Sequence, residues 1–197
     1  MTSTPAPARP LFPASGLLRH ARAAHASAVQ IASHPLAHDA LGLFMRLTIA
    51  GVFWRSLLTK VDTFGVWRYT ELINNFEVQK FHIRLPELPL TLRPSTLTQF
   101  RNDFALPLLP PELAAWFATL GEFVLPILLV LGLWTRLAAA GLLAMTLVIQ
   151  IFVFPDAWWQ THALWAAMLA YVLLQGPGRA SADFWAGKAA DHLVGRN

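Results

Sequence analysis

Twenty-one consecutive residues, from Leu113 to Leu133, contain a single ionisable side chain, Glu122, near their midpoint. An α-helix of this length can cross the hydrocarbon core of a bilayer, which is about 30 Å thick. A carboxylate in that position is costly unless a cation or several hydrogen bonds compensate for it. The stretch therefore predicts a membrane-spanning helix with a buried acid, and the partner of Glu122 becomes the main question.

Three further apolar stretches have the length of membrane spans, and they cover residues 40–58, 137–154 and 158–175. The last of them stops at a Gly-Pro-Gly sequence, where a helix cannot continue. The composition agrees, because only 13% of the residues are charged, whereas soluble domains carry about 25%. The sequence predicts an all-α, four-helix transmembrane bundle.

The rest of the chain divides around this bundle. Residues 1–38 form an N-terminal tail, and its Ala-rich second half fits either a surface helix or a helix at the membrane interface. Residues 39–178 form the membrane domain, in which the long connection 62–112 includes a short helix beginning at Ser95 and is expected to cap the bundle. Residues 179–197 form a C-terminal tail.

The localisation prediction rests on the first residues, on tryptophans near the span ends and on the distribution of arginines. The first residues lack the basic and apolar regions of a signal peptide. Five tryptophans lie near the predicted span ends, as in an interfacial aromatic belt: Trp116, Trp134, Trp158, Trp159 and Trp185. An even number of spans places both termini on one side, and arginines in the tails and the 134–136 turn favour the cytoplasmic side of a bacterial inner membrane.

Each predicted span places a polar group in the outer half of the bundle. At about 1.5 Å per residue, Glu122 lies about 13 Å below the outer surface, and Arg55, Gln150 and His162 lie about 6–8 Å below it. Because an arginine side chain can reach several ångströms further, we expect Glu122 to pair with Arg55. Gln150 and His162 are then further hydrogen-bonding partners. This cluster is either a structural clamp that fixes helix order or a pocket for a quinone-like or small anionic ligand.

Three other basic residues are secondary candidates. Arg46 lies half a turn around the helix from Arg55, and it is expected to extend toward the inner face or to meet Arg136 and the tail. Lys60 closes the first span.

Other site chemistries have little support in the sequence. The chain has no cysteine, which excludes disulfides, thiolate metal sites and a cysteine nucleophile. His34 and His38 have helical spacing, but Pro35 between them favours coincidence over a metal site, and no metal site is predicted. A bis-histidine haem is not expected, because His162 is the only histidine within a predicted span. No basic stripe suggests a nucleic acid partner.

Several segments, in order along residues 40–183, resemble the DoxX family of small four-helix membrane proteins. MRLTIAGVFWRSLLTK, with Arg46 and Lys60, is similar to that family's first helix. ATLGEFVLPILLVLGLWTRLAAAGLL is similar to its second and third helices, including the acid at 122 and the Thr-Arg turn at 135–136. GPGRASAD, residues 176–183, is similar to its closing GPGxxSxD signature.

The resemblance implies several functions. The family takes its name from a membrane subunit of a thiosulfate:quinone oxidoreductase. This implies an accessory or quinone-associated subunit in a redox or metal-handling complex. Quinone is then a candidate cofactor, and no intrinsic cofactor is expected. FWRSLLTK and FALPLLPPELAAW are also similar to a DoxX-like branch associated with metal-binding modified-peptide gene clusters, which implies a non-catalytic membrane anchor or partner for such a peptide. A small-molecule transporter is the third alternative, and the absence of an internal repeat makes it the weakest.

Overall fold

The computed structural model describes residues 14–73, 76–107, 109–193 and 195. Within them the chain is mostly helical, with one antiparallel hairpin. The helices are α1 (Ala14–Ala32), α2 (Pro35–Lys60), α3 (Pro94–Asn102), α4 (Pro111–Leu131), α5 (Thr135–Phe152), α6 (Ala163–Gln175) and α7 (Ala182–Leu193). A 3₁₀ turn (Pro155–Ala157) and a π-helical turn (Trp158–His162) lead into α6.

The chain divides into two compact units, residues 1–40 and 41–197. In the described part of the first unit, α1 covers most of the Ala-rich segment, and its location at the protein surface or at the membrane interface stays a prediction. The second unit holds the membrane bundle, the hairpin and α7.

Three helices in the described part of the chain are long and apolar enough to cross a membrane, namely α2, α4 and α5. They confirm the first three predicted spans. The fourth stretch is helical from Trp158 to Gln175, but only its last 13 residues are α-helix. Since 13 residues rise about 20 Å, α6 alone is shorter than the hydrocarbon core, and its crossing stays a prediction.

One apolar core joins α2, α4, α5 and α6. The fully buried side chains that form it include Ile49 and Phe53 from α2, Leu129 from α4, Leu142 from α5 and Leu169 from α6. Every helix of the predicted bundle therefore contributes to the same core, as a four-helix arrangement requires.

The connection between α2 and α4 contains the largest departure from the predicted all-α fold. Strands β1 (Thr63–Ile73) and β2 (Phe76–Pro86) pair antiparallel in a register that places Val66 opposite Ile83. Helix α3 begins at Pro94, one residue before the predicted start, and proline suits this first helical position because it needs no N–H donor there. The predicted cap thus consists of a hairpin followed by a short helix.

Candidate functional site

Glu122 forms an ion pair inside the bundle, and its partner is Lys60. The Lys60 Nζ donates hydrogen bonds to both carboxylate oxygens, at 3.0 Å to Oε1 and 2.8 Å to Oε2. The Ser56 hydroxyl donates to Oε1 at 2.9 Å, and the Lys60 Nζ also lies 2.8 Å from the Ser56 Oγ. Glu122 is only 2% exposed, so a cation and a hydroxyl stabilise a carboxylate that water scarcely reaches.

The predicted pairing of Glu122 with Arg55 is wrong. Arg55 is exposed on the outer surface of α2. Buried residues of α2 recur at helical spacing, and Arg46, Phe53, Leu57 and Lys60 belong to this inward face. Nine residues at about 100° each separate Arg55 from Arg46 by half a turn, so an inward Arg46 requires an outward Arg55.

Lys60 reaches Glu122 because a helical side chain projects toward the helix N-terminus. The two α2 residues Ser56 and Lys60 are four positions apart and therefore lie on one face. The lysine stem runs back along this face from the end of α2. The Lys60 backbone is held as well, since its carbonyl accepts bonds from the Arg93 N–H at 3.0 Å and the Thr96 hydroxyl at 2.8 Å.

His162 and Gln150 form a second polar pair. The His162 Nδ1 lies 2.7 Å from the Gln150 Oε1, while the Gln150 Nε2 donates to the Pro155 carbonyl at 2.6 Å. Because the amide nitrogen is committed as a donor, the amide oxygen faces the ring, and Nδ1 must carry the proton. With the proton on Nδ1, the Nε2 of a neutral imidazole is a hydrogen-bond acceptor.

A cavity of about 460 Å³ joins the two polar pairs. Lys60, Glu122 and Ser56 line one part of it, and His162 also lines it. Most of the remaining wall is apolar or aromatic, including Phe100, Phe104, Phe117, Met145, Phe154 and Trp165. An apolar cavity of this size with a few convergent polar groups is typical of small-molecule sites.

An aromatic series covers the cavity near the end of the bundle where α3 lies. Phe104 makes edge-to-face contacts with Phe100 and with Phe154, each with ring centroids 5.5 Å apart. Phe100 is buried against Ala114 and Ala115 of α4. The Arg101 guanidinium also forms an ion pair with Glu112, which fastens α3 to the start of α4.

Arg46 has a different partner set, at the opposite end of α4. Its Nε donates to the Leu129 carbonyl at 2.8 Å, and its Nη2 to the Val130 carbonyl at 2.9 Å. Its Nη1 donates to the carbonyls of Pro177 at 2.7 Å and Ala180 at 3.0 Å. The guanidinium thus caps the last turn of α4 and holds the segment that follows α6. We expected Arg46 to extend toward the inner face or to meet Arg136 and the tail, and Ala180 belongs to that tail.

The closing GPGRASAD segment completes this end of the bundle. The Asp183 carboxylate accepts hydrogen bonds from the backbone N–H groups of Trp134 and Thr135, both at 2.8 Å, at the start of α5. Gly132 has a φ of 68°, and a Cβ there would lie 2.5 Å from both the Arg46 Nη2 and the Ser181 Cβ, so only glycine fits. Arg136 packs against Gly176 and takes no part in the Glu122 site.

The comparison with protein families agrees with this architecture. The DoxX family model matches residues 41–155, more than half of the chain, and the chain belongs to this family. It is an integral membrane protein with candidate spans in α2, α4 and α5. Among curated proteins and among solved structures, none matches the chain significantly.

Proposed function

We propose that this DoxX-family protein is a quinone-associated accessory subunit of a membrane redox complex, and that its cavity binds the quinone head group. The observation that carries the proposal is the Lys60–Glu122 ion pair in the wall of a mostly apolar cavity inside the bundle. A quinone has the matching character, with polar oxygens on a flat ring and an apolar tail. When bound, it would supply two-electron, two-proton redox chemistry.

The side chains present fit such a head group. The Lys60 ammonium can donate a hydrogen bond to a carbonyl oxygen, and the Glu122 carboxylate can accept one from a hydroxyl. His162, with Nδ1 committed to Gln150, offers its Nε2 as a second acceptor. These residues would bind and orient the ring and hold protons at its oxygens. The electron donor would belong to a partner protein.

The proposal is tested by measuring decylubiquinone binding to the purified protein in lipid nanodiscs. A hydrogen bond to a buried charge contributes about 1.5–3 kcal/mol, so Glu122→Gln should weaken binding roughly tenfold or more. The matched control is Glu87→Gln, because Glu87 is an exposed carboxylate that lies outside the cavity. The control should bind within about twofold of wild type.

A second pair of variants leaves the ion pair intact. Ala118→Phe fills the cavity from α4, whereas Val124→Phe adds a ring to an exposed position of the same helix. Ala118→Phe should abolish binding, and Val124→Phe should not affect it. The proposal fails if wild type does not bind quinone, or if Glu122→Gln and Ala118→Phe both bind as tightly as wild type.

A second candidate function is a non-catalytic membrane anchor that binds a partner, such as a metal-binding peptide, through the hairpin. Trp67 and Leu72 of β1 are 75% and 72% exposed, so most of each side chain is accessible to a partner. Under this alternative, a hairpin variant such as Leu72→Ser would lose partner binding, while Glu122→Gln would retain it.

A further inference from the structure

The seam between α4 and α5 is closely packed in one part and lines the cavity in another. Two glycines allow the antiparallel helices to touch: a Cβ at Gly121 would lie 2.7 Å from the Met145 Sδ, and a Cβ at Gly141 would lie 2.8 Å from the Leu125 Cδ1. These contacts place residue 121 beside 145 and residue 125 beside 141. The same register places residues 117–118 beside 148–149, one helical turn further toward the start of α4.

At that next turn both helices line the cavity. Phe117, Ala118, Val148 and Ile149 all belong to the cavity wall. Phe117 is 62% exposed and Val148 is 38% exposed, although both line the cavity. Side chains that line the cavity therefore also reach the outer surface of the bundle at this part of the seam.

This part of the seam lies within the candidate membrane spans α4 and α5. Phe117 is six residues into α4, and Val148 is four residues before the end of α5, which correspond to about 9 Å and 6 Å of helix. Side chains exposed at such depths face lipid when the helices span a bilayer. At the nearby end of the bundle, the aromatic series Phe100, Phe104 and Phe154 covers the cavity.

We propose that the seam between Phe117–Ala118 of α4 and Val148–Ile149 of α5 opens to the lipid as a lateral portal, through which a lipid-resident, long-tailed ligand enters the cavity. This inference rests on the proposed function and specifies its ligand class. The polar head reaches Lys60 and Glu122, and the tail lies through the portal into the surrounding hydrocarbon. The site therefore selects ligands that partition into the bilayer rather than water-soluble ones.

The first experiment compares ubiquinone-10 with its tail-free head group, 2,3-dimethoxy-5-methyl-1,4-benzoquinone, in nanodiscs. Val148→Phe narrows the portal, and the control Leu147→Phe makes the same kind of change at the adjacent exposed residue, which does not line the cavity. Val148→Phe should weaken ubiquinone-10 binding roughly tenfold and leave tail-free binding within about twofold, because only the tail occupies the portal. Leu147→Phe should alter neither.

Equal loss of both ligands in Val148→Phe, or no loss of either, would overturn the portal. If wild type binds neither quinone, the proposed function itself has failed. The two failures therefore give different results.

A second experiment needs no ligand, and it uses the absence of cysteine from the chain. A nitroxide attached to the single cysteine of Val148→Cys or Ala118→Cys should collide more often with dissolved oxygen, which concentrates in lipid, than with a water-soluble nickel chelate. The exposed α3 position Thr98→Cys is the aqueous control. Preferential collision with the nickel chelate at both cavity positions would show an aqueous opening and overturn the portal.

Discussion

At the level of single side chains, the identity of the base that faces Glu122 depends on helical phase more than on depth. Depth arithmetic favours Arg55, because it lies further into the bilayer than Lys60. The inward face of α2 decides otherwise, since Arg46, Phe53, Leu57 and Lys60 follow one stripe and Arg55 lies outside it. The spacing of these residues was available in the sequence, but only the structure shows which of the two arginines is buried.

The ion pair itself gives a stability prediction. Lys60→Met leaves the Glu122 carboxylate buried without its cation, which should destabilise the bundle by about 3–5 kcal/mol. Unfolding by a denaturing detergent, followed by circular dichroism, measures the change. The control Arg55→Met removes an exposed cation from the same helix and should change stability by less than about 1 kcal/mol.

The double variant Lys60→Met/Glu122→Met separates loss of the pair from loss of one partner. Apolar replacement of a buried ion pair is often neutral, so the double variant should recover most of the stability lost in Lys60→Met. An Arg55→Met effect as large as that of Lys60→Met would contradict the assignment of Lys60 as the partner of Glu122.

At the level of helices and strands, the sequence predicts the apolar helices better than the connection between them. Long apolar runs predict α2, α4 and α5 to within a few residues, because lipid requires both the length and the composition. The hairpin was missed, although β1 and β2 are rich in aromatic and β-branched residues, and the sequence between them, Asn74 and Asn75, consists of a residue type that favours turns. Its exposed apolar residues obscure the alternation that normally identifies a strand.

The clamp formed by Arg46 with the end of α4 and with the segment that follows α6 gives a prediction about connections between elements. Arg46→Lys removes the planar fork that reaches four carbonyl oxygens, and it should destabilise the bundle by about 2–4 kcal/mol. Arg55→Lys is the matched control on the same helix, and it should be close to neutral because Arg55 is exposed. Equal detergent stability of Arg46→Lys and wild type would rule out the clamp.

Asp183, at the same end of the bundle, makes the stability of the fold dependent on pH. Burial raises the pKa of its carboxyl, but hydrogen bonds from the Thr135 and Trp134 N–H groups and the charge of Arg46 outweigh burial, and the net pKa lies below its ordinary value. A carboxyl whose pKa is lowered by folding stabilises the fold above its ordinary pKa, and this contribution is lost as pH falls through the lowered pKa.

Thermal unfolding between neutral pH and about pH 3 should therefore show an acid-dependent loss of stability that is smaller in Asp183→Asn, whose side chain cannot ionise. The exposed Asp156→Asn is the control and should keep the wild-type pH dependence. An unchanged pH profile in Asp183→Asn would contradict this role.

At the level of the whole molecule, buried charges at the two ends of the bundle have different surroundings. Arg46 is enclosed by backbone carbonyls, a purely structural environment that joins α2, α4 and the closing signature. Lys60 and Glu122 line an apolar cavity, an environment that leaves room for a ligand. The sequence predicted a polar group in each helix, but it did not distinguish a structural site from a site beside a cavity. That difference depends on which faces of the helices pack against each other.

The contact between Lys60 and Glu122 is most directly tested by solid-state NMR on the protein in lipid bilayers. With ¹⁵N-labelled lysine and ¹³C-labelled glutamate, the dipolar coupling should report a direct contact between the Lys60 Nζ and the Glu122 carboxylate, consistent with 2.8 Å from Nζ to Oε2. The coupling should disappear in Lys60→Arg and persist in Arg55→Lys. A Glu122 carboxylate without contact to Lys60, or in contact with Arg55 instead, would contradict the account.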